Sequence, residues 1–228
     1  NIFHPVDVHM SRFENEISIS ADLILTTSDK LLERYNDVVK PKFKINHGLA
    51  DYFINPNKNN IDFIKHPKRK NVGYVGNLHY QYLDTNILKR IITQNTDVDF
   101  YFIGPYQESN IGYDKLNVSF IEWLKNLHNT YLIGPVPSEN LPSYLNEFDL
   151  FLMCYSSDHK ITEMANPHKI LELLSTGKVV VSHYIDEYCQ KRDLVEMVNK
   201  NKSLPKVFER VVNNLDYYNS ENKIKCRM

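Results

Sequence analysis

Apolar residues recur at helical spacing over residues 11–21 and then close up into an unbroken run within DLILTT at 22–27, a change of period that predicts a helix followed by a buried strand. Ser28 is placed to cap a second helix running through about residue 38. A short strand over 42–46 closes at His47-Gly48, and 51–70 turns polar, with Pro56, Pro67 and runs of Asn and Lys, which is a linker composition. Beyond it the chain alternates. Strands are expected at 72–75, 99–103, 130–133, 150–154 and 178–182, with helices at 84–93, 120–127, 138–146 and from 166. Such alternation predicts an α/β fold: a Rossmann-like, doubly wound parallel sheet with helices on both faces and right-handed crossovers. Sheets of this kind bind ligands at the carboxyl ends of their strands. Residues 187–228 read as helices broken at Ser203-Leu204-Pro205, ending in a polar tail expected to fray.

Composition narrows the classes without naming one. In 228 residues, 42% hydrophobic and 24% charged, there is material for one large or two small cores. The 27 basic and 28 acidic residues nearly cancel, so the chain as a whole carries no electrostatic footprint for nucleic acid, and any anion site must be local. Cys154, Cys189 and Cys226 are odd in number and lack a C-x-x-C, which speaks for a reducing, cytoplasmic setting rather than a disulfide framework. The apolar runs are strand-sized, far below the ~20 residues of a spanning helix, so membrane contact is expected to be peripheral at most, at the inner face. The opening NIFHPVDVHMSRFENE reads as the continuation of an upstream segment.

Several chemistries lose support. After the first strand of the alternating region comes Gly73-Tyr74-Val75-Gly76-Asn77-Leu78, which lacks the third glycine of a dinucleotide fingerprint, and no G-K-[ST] triplet marks a P-loop. There is no G-x-S-x-G, and the nine histidines show no metal-ligand spacing, so no metal is expected. Gly104-Pro105 and Gly134-Pro135 repeat one strand-to-turn device.

The most informative stretch is NPHKILELLSTGKVVVSH, residues 166–183. Asn166 suits an N-cap and Pro167 a first helical position, Ile170, Leu171, Leu173 and Leu174 form the apolar stripe, and Gly177 stops the helix before a valine strand. A phosphate fits the helix start, with Lys169 adding a full charge, and a sugar diol fits the carboxylate of Glu172, which only accepts hydrogen bonds. The alternative is a capped surface helix with a Lys169–Glu172 pair at i,i+3. The polar loop YSSDHKITEMA leads directly into this helix and brings Asp158, His159, Lys160, Thr162 and Glu163 to the carboxyl edge.

These blocks resemble the nucleotide-sugar glycosyltransferases of the GT-B fold, in the group 1, family 4-like set that includes bacterial surface-polysaccharide transferases. The resemblance runs over residues 21–183, through KNVGYVGNL, DFYFIGP, NTYLIGPVPSENLPSYLNEFDLFLMCY and NPHKILELLSTGKVVVSH. ADLILTTSDKLLERY and KINHGLADYF resemble the end of the acceptor-side domain and the crossing into the donor-side domain. The implied division is 1–65 as a truncated N-terminal α/β remnant and linker, 66–200 as the C-terminal donor-nucleotide-binding domain, and 201–228 as a helical tail.

The resemblance implies a metal-independent hexosyltransferase, needing no cofactor. Its substrate would be a UDP- or GDP-linked sugar, and its acceptor a glycan or lipid-linked acceptor in surface polysaccharide synthesis. It sets Glu172 on the donor ribose, Asn166, Pro167 and Lys169 along the diphosphate, Gly76 and Asn77 at the phosphates from the opposite turn, and Thr162, Glu163, Met164 and Ala165 toward the donor sugar. Two departures stand out. The acidic residue that relatives carry eight positions before the ribose glutamate is Met164 here, with Glu163 one residue off. The Arg and Lys pair after the first glycine turn is replaced by a region holding Asn77, His79 and Tyr82. No catalytic residue is assigned; Glu163 is the candidate, and His4 and Asp7 stand as candidate bases only because they precede the retained remnant. A sugar-nucleotide epimerase of the same fold and a non-catalytic nucleotide-binding or interaction module are the alternatives.

Overall fold

The computed structural model of the chain describes residues 1–6, 13–56, 61, 66, 68–107, 116–156 and 166–228. Its first unit is a parallel three-stranded sheet in the order β1-β2-β3, formed by β1 (Ile2–Phe3), β2 (Leu23–Thr26) and β3 (Lys42–Lys44), with helices α1 (Glu14–Ser20) and α2 (Asp29–Glu33). Ser28 starts α2 as expected, its Oγ accepting from the Leu31 N–H at 3.1 Å. The buried carboxylate of Glu14 is compensated by Arg34 at 3.2 Å and by the Tyr35 hydroxyl, which donates to its other oxygen. Within the expected linker, α3 (Asp51–Ile54) places Phe53 in the core of the second unit.

That unit has six parallel strands: β4 (Lys70–Val75), β5 (Val98–Ile103), β6 (Thr130–Gly134), β7 (Leu150–Met153), β8 (Val179–Ser182) and β9 (Val195–Met197). Their order, β6-β5-β4-β7-β8-β9, grows outward from β4 in one direction and then from β7 in the other. The topological switch therefore lies between β4 and β7, where Val72 faces Leu150 and Gly73 faces Phe151. A sheet covered on both faces needs strands that are apolar throughout, and VDFYFI in β5 is wholly buried. On one face α4 (Thr85–Gln94), α5 (Val118–Lys125) and α8 (Leu204–Asn213) close over Val72, Phe100, Phe102, Leu152 and Val181. On the other, α6 (Leu141–Leu145) and α7 (Lys169–Leu174) close over Val75, Tyr101, Phe151, Met153 and Val180.

The C-terminal region departs from the helix-only expectation. Val195-Glu196-Met197 is a strand, β9, paired with Val180–Ser182 at the sheet edge. The tail expected to fray is docked through α9 (Leu215–Tyr218) and α10 (Glu221–Arg227). Asn219 accepts from the Val179 N–H at 3.0 Å and donates to the Asp149 carbonyl at 2.7 Å, tying together the starts of β8 and β7. Arg227 is buried and donates to the carbonyls of Gly177 at 3.1 Å and Tyr218 at 2.7 Å.

Candidate functional site

At the carboxyl edge, β4, β5 and β6 each run out on a glycine: Gly76, Gly104 and Gly134. The Gly76 N–H donates to the Ile103 carbonyl and the Gly104 N–H to the Gly134 carbonyl, both at 2.9 Å, so the ladder continues past the strands. Gly104 has φ +137, and a Cβ there would lie 2.2 Å from the Gly76 carbonyl oxygen. Of the Gly-Pro repeats that read as plain turns, the first is thus a place where crowded backbone excludes a side chain, while Gly134 is held to glycine by its φ of +90. Gly76 is buried with its N–H engaged in the sheet, and Asn77 is half-buried, its Oδ1 accepting from the His79 N–H at 2.8 Å. The His79 ring is buried between the carbonyls of Leu116 and Tyr106, the latter 3.0 Å from Nε2.

Next to this turn the chain folds back on the end of β7, with Leu83 bridging Tyr155. The Ser156 N–H donates to the Tyr82 carbonyl at 2.6 Å, and the Asp84 N–H to the Cys154 carbonyl at 3.0 Å. Asn201 locks the arrangement, donating to Asp84 Oδ2 at 2.8 Å and to the Tyr155 carbonyl at 2.6 Å. The rings of Tyr80, Tyr155 and His183 follow one another at 5.0 Å spacings. His183 is fully buried and its Nε2 has no partner among the described residues; burial lowers its pKa to about 4, leaving it neutral at pH 7. Burial also raises the Tyr74 hydroxyl and the Cys154 thiol well above their ordinary values. Apart from the Asp84 carboxylate held by Asn201, the wall at the switch point is therefore polar in atoms but uncharged. Sequence reasoning passed over these residues because aromatic side chains in strands read as core; their position at the strands' carboxyl ends was the available signal.

The helix start differs from the expected cap. Asn166 does not cap: its buried side chain donates to the Thr27 carbonyl of the N-terminal unit at 2.7 Å, a tertiary bond that outcompetes the local one. Pro167 is not the first helical residue either, since α7 begins at Lys169 after a tight turn in which the Ile170 N–H donates to the Pro167 carbonyl at 3.0 Å. With six residues, α7 has a weaker dipole than the expected longer helix, which moves weight onto side chains. Lys169 makes no hydrogen bond or ion pair with a described residue, and burial lowers its pKa against the raising pull of Glu172. A Lys169–Glu172 ion pair is not formed; Glu172, with a side chain 16% exposed, instead meets His168 Nε2 at 3.5 Å.

Thr162, Glu163, Met164 and Ala165, with Asp158, His159 and Lys160 of the same loop, lie outside the described residues, as does Asp7. His4 is exposed in the N-terminal unit. That unit sets the carboxyl end of β2 against the approach to α7 through Thr27 and Asn166. A second link is Glu187, nearly buried, which accepts from Lys44 at 3.3 Å and from Lys191 at 2.8 Å. A cleft of about 470 Å³ between the units is bordered by His47, Asn166, Leu171, Glu187 and Arg227. Among the described residues no cluster of His, Cys, Asp or Glu has the arrangement of a metal cage, and no helix is long and apolar enough to cross a membrane.

The three-dimensional likenesses agree on the fold. Sucrose-phosphate synthase from Thermosynechococcus elongatus superposes with a TM-score of 0.68 at 12% identity, covering 99% of this chain and 62% of that one. HepE from Anabaena, crystallised with UDP-glucose, gives 0.71 at 15%, covering 99% and 65%. WaaG, a glycosyltransferase involved in lipopolysaccharide biosynthesis, gives 0.62 at 12%, covering 89% and 57%. The chain thus spans less than two thirds of the length of each of these proteins, and their identities speak to the GT-B fold alone. No curated protein sequence matches it. The family model for glycosyl transferases group 1 matches residues 69–212, the sheet from β4 to α8. The chain belongs to the group 1 glycosyl transferases and has the GT-B fold.

Proposed function

We propose that the chain binds a nucleoside diphosphate sugar, UDP- or GDP-linked, at the carboxyl edge between β4 and β7, and takes part in transferring its hexosyl group to a glycan or lipid-linked acceptor. The observation that carries this reading is Lys169: a half-buried ammonium that pairs with no carboxylate among the described residues, three residues before the largely buried carboxylate of Glu172. An unpaired cation at the mouth of a doubly wound sheet is costly for folding unless an anion completes it. A diphosphate does so, and its pentose hydroxyls donate to Glu172. HepE, of the same fold, was crystallised with UDP-glucose, which supports this ligand class.

In the transfer, the bond between the anomeric carbon and the diphosphate breaks, charge gathers on the leaving phosphate, and the ammonium of Lys169 stabilises it in an uncharged, partly dry wall. In this reading Asn77 meets that phosphate from the opposite turn, Gly76 gives it backbone room, Pro167 fixes the approach to Lys169, and Thr162, Glu163, Met164 and Ala165 are the residues assigned to the sugar. Charge neutralisation by these groups needs no metal, so activity is expected to survive a chelator. The setting we propose is surface polysaccharide synthesis on the cytoplasmic side of a membrane. Titration with UDP and GDP by thermal shift tests the reading: stabilisation by one of them is expected, and none with either nucleotide or its sugars overturns it.

A further inference from the structure

The edge strand β9 and the start of α8 enclose a groove of about 650 Å³ that the donor reading leaves unused. Arg192, Lys200, Lys202 and Arg210 line it against one carboxylate, Glu196. Arg210 neutralises Glu196 across 3.0 Å, while Arg192 reaches only the Asn199 amide oxygen at 3.5 Å. Lys200 and Lys202 are exposed and pair with no carboxylate among the described residues. Some lysines elsewhere are paired, as Lys30 with Glu33, Lys125 with Glu122, Lys191 with Glu187 and Lys225 with Glu221, so what sets this groove apart is the gathering of its cations on one concave surface. In a chain of net charge −1, uncompensated cations gathered on one concave surface make a local positive field, which a low-dielectric floor such as Val207 concentrates.

The loop that bears the lysines is also fixed. Asn201, between them, is buried and bonded to Asp84 and to the Tyr155 carbonyl. Its neighbours therefore present their charges from an anchored backbone, which lowers the ordering cost of binding. We propose that this groove is a second anion site that takes a phosphate-bearing ligand, separate from the donor site. Phosphate rather than a single carboxylate fits because three cations that pair with no carboxylate among the described residues line one groove, and the Arg192 fork and the lysine point charges suit its several acceptor oxygens.

Pyrophosphate titrated into the whole chain, followed by amide proton–nitrogen spectra, tests this. Signals from residues 195–203 are expected to shift saturably, and Lys200→Glu with Lys202→Glu to raise that apparent Kd at least tenfold while shifts around Lys169 persist. The control, Lys223→Glu with Lys225→Glu on α10, is expected to stay within twofold. Cosedimentation with phosphatidylglycerol but not phosphatidylcholine vesicles, lost in the groove variant, assigns the phosphate to a lipid headgroup; pyrophosphate binding without cosedimentation assigns it to a soluble ligand. Unshifted groove signals, or equal weakening by both pairs, overturn the proposal, and neither result touches the Lys169 reading.

Discussion

The carbonyl oxygen of Gly76 occupies the space that a side chain on Gly104 would need, 2.2 Å from its ideal Cβ position. The ends of β4 and β5 are therefore fixed against each other by an absence of side chain. Gly104→Ala meets both this clash and a φ of +137, and is expected to destabilise by about 3 kcal/mol or more. For a chain of this size that is a fall in Tm of roughly 6–12 °C. Gly134→Ala, at φ +90 but with only Tyr106 at 3.5 Å, is expected to cost less. Thermal unfolding of the two variants checks the ranking.

His183 gives the fold an acid sensitivity. Its pKa is about 4 in the folded chain against 6.5 for the free side chain, so between these values the unfolded chain binds the extra proton. The stabilisation is complete above pH 6.5, is lost as pH falls toward 4, and amounts to about 3 kcal/mol in all. His183→Phe keeps a ring against Tyr155 and removes the titration. The stability difference between wild type and variant is expected to be flat above pH 6.5 and to move against the wild type below it; a flat difference down to pH 4 contradicts the burial argument.

The docked C-terminal segment is expected to be part of the folding unit. Asn219→Ala removes the acceptor for the Val179 N–H and the donor to the Asp149 carbonyl, and is expected to cost about 2–3 kcal/mol. Chemical denaturation measures this, and a value under about 0.5 kcal/mol, typical of a surface change, contradicts it.

Much of this fold was legible because parallel strands buried on both faces leave apolar runs such as DFYFI and VVV that survive any local ambiguity. Ser28 was readable as a cap because its partner, Leu31, is three residues away. Asn166 looked like the same device, but the Thr27 carbonyl, far away in sequence, claims its amide. β9 escaped because three residues with one central glutamate carry no period to read. The tail looked polar because its anchors are polar: Asn219 and Arg227 dock by satisfying carbonyls and amides, which composition does not reveal. Lys169 and Glu172 can be singled out as site candidates from the helix pattern alone, whereas the uncharged state of Tyr74, Tyr155 and His183 depends on burial, which the sequence does not show.

Asn166 joins the units, so Asn166→Ala is expected to destabilise by about 1–2 kcal/mol by leaving the Thr27 carbonyl without its donor. Glu187→Gln weakens the other link, at Lys44 and Lys191. Each single variant, and the double, measured by denaturation, are expected to show near-additive losses, because the bonds share no partner.

The most direct test concerns Lys169 without ligand and with it. Lys169→Met removes a half-buried ammonium that pairs with no carboxylate among the described residues, so the ligand-free variant is expected to match or exceed wild-type Tm. Stabilisation by the preferred nucleoside diphosphate is expected to fall at least tenfold in apparent affinity, and Glu172→Ala to weaken the same nucleotide. Undiminished nucleotide binding by Lys169→Met, measured by calorimetric titration beside wild type, would contradict the account at its centre.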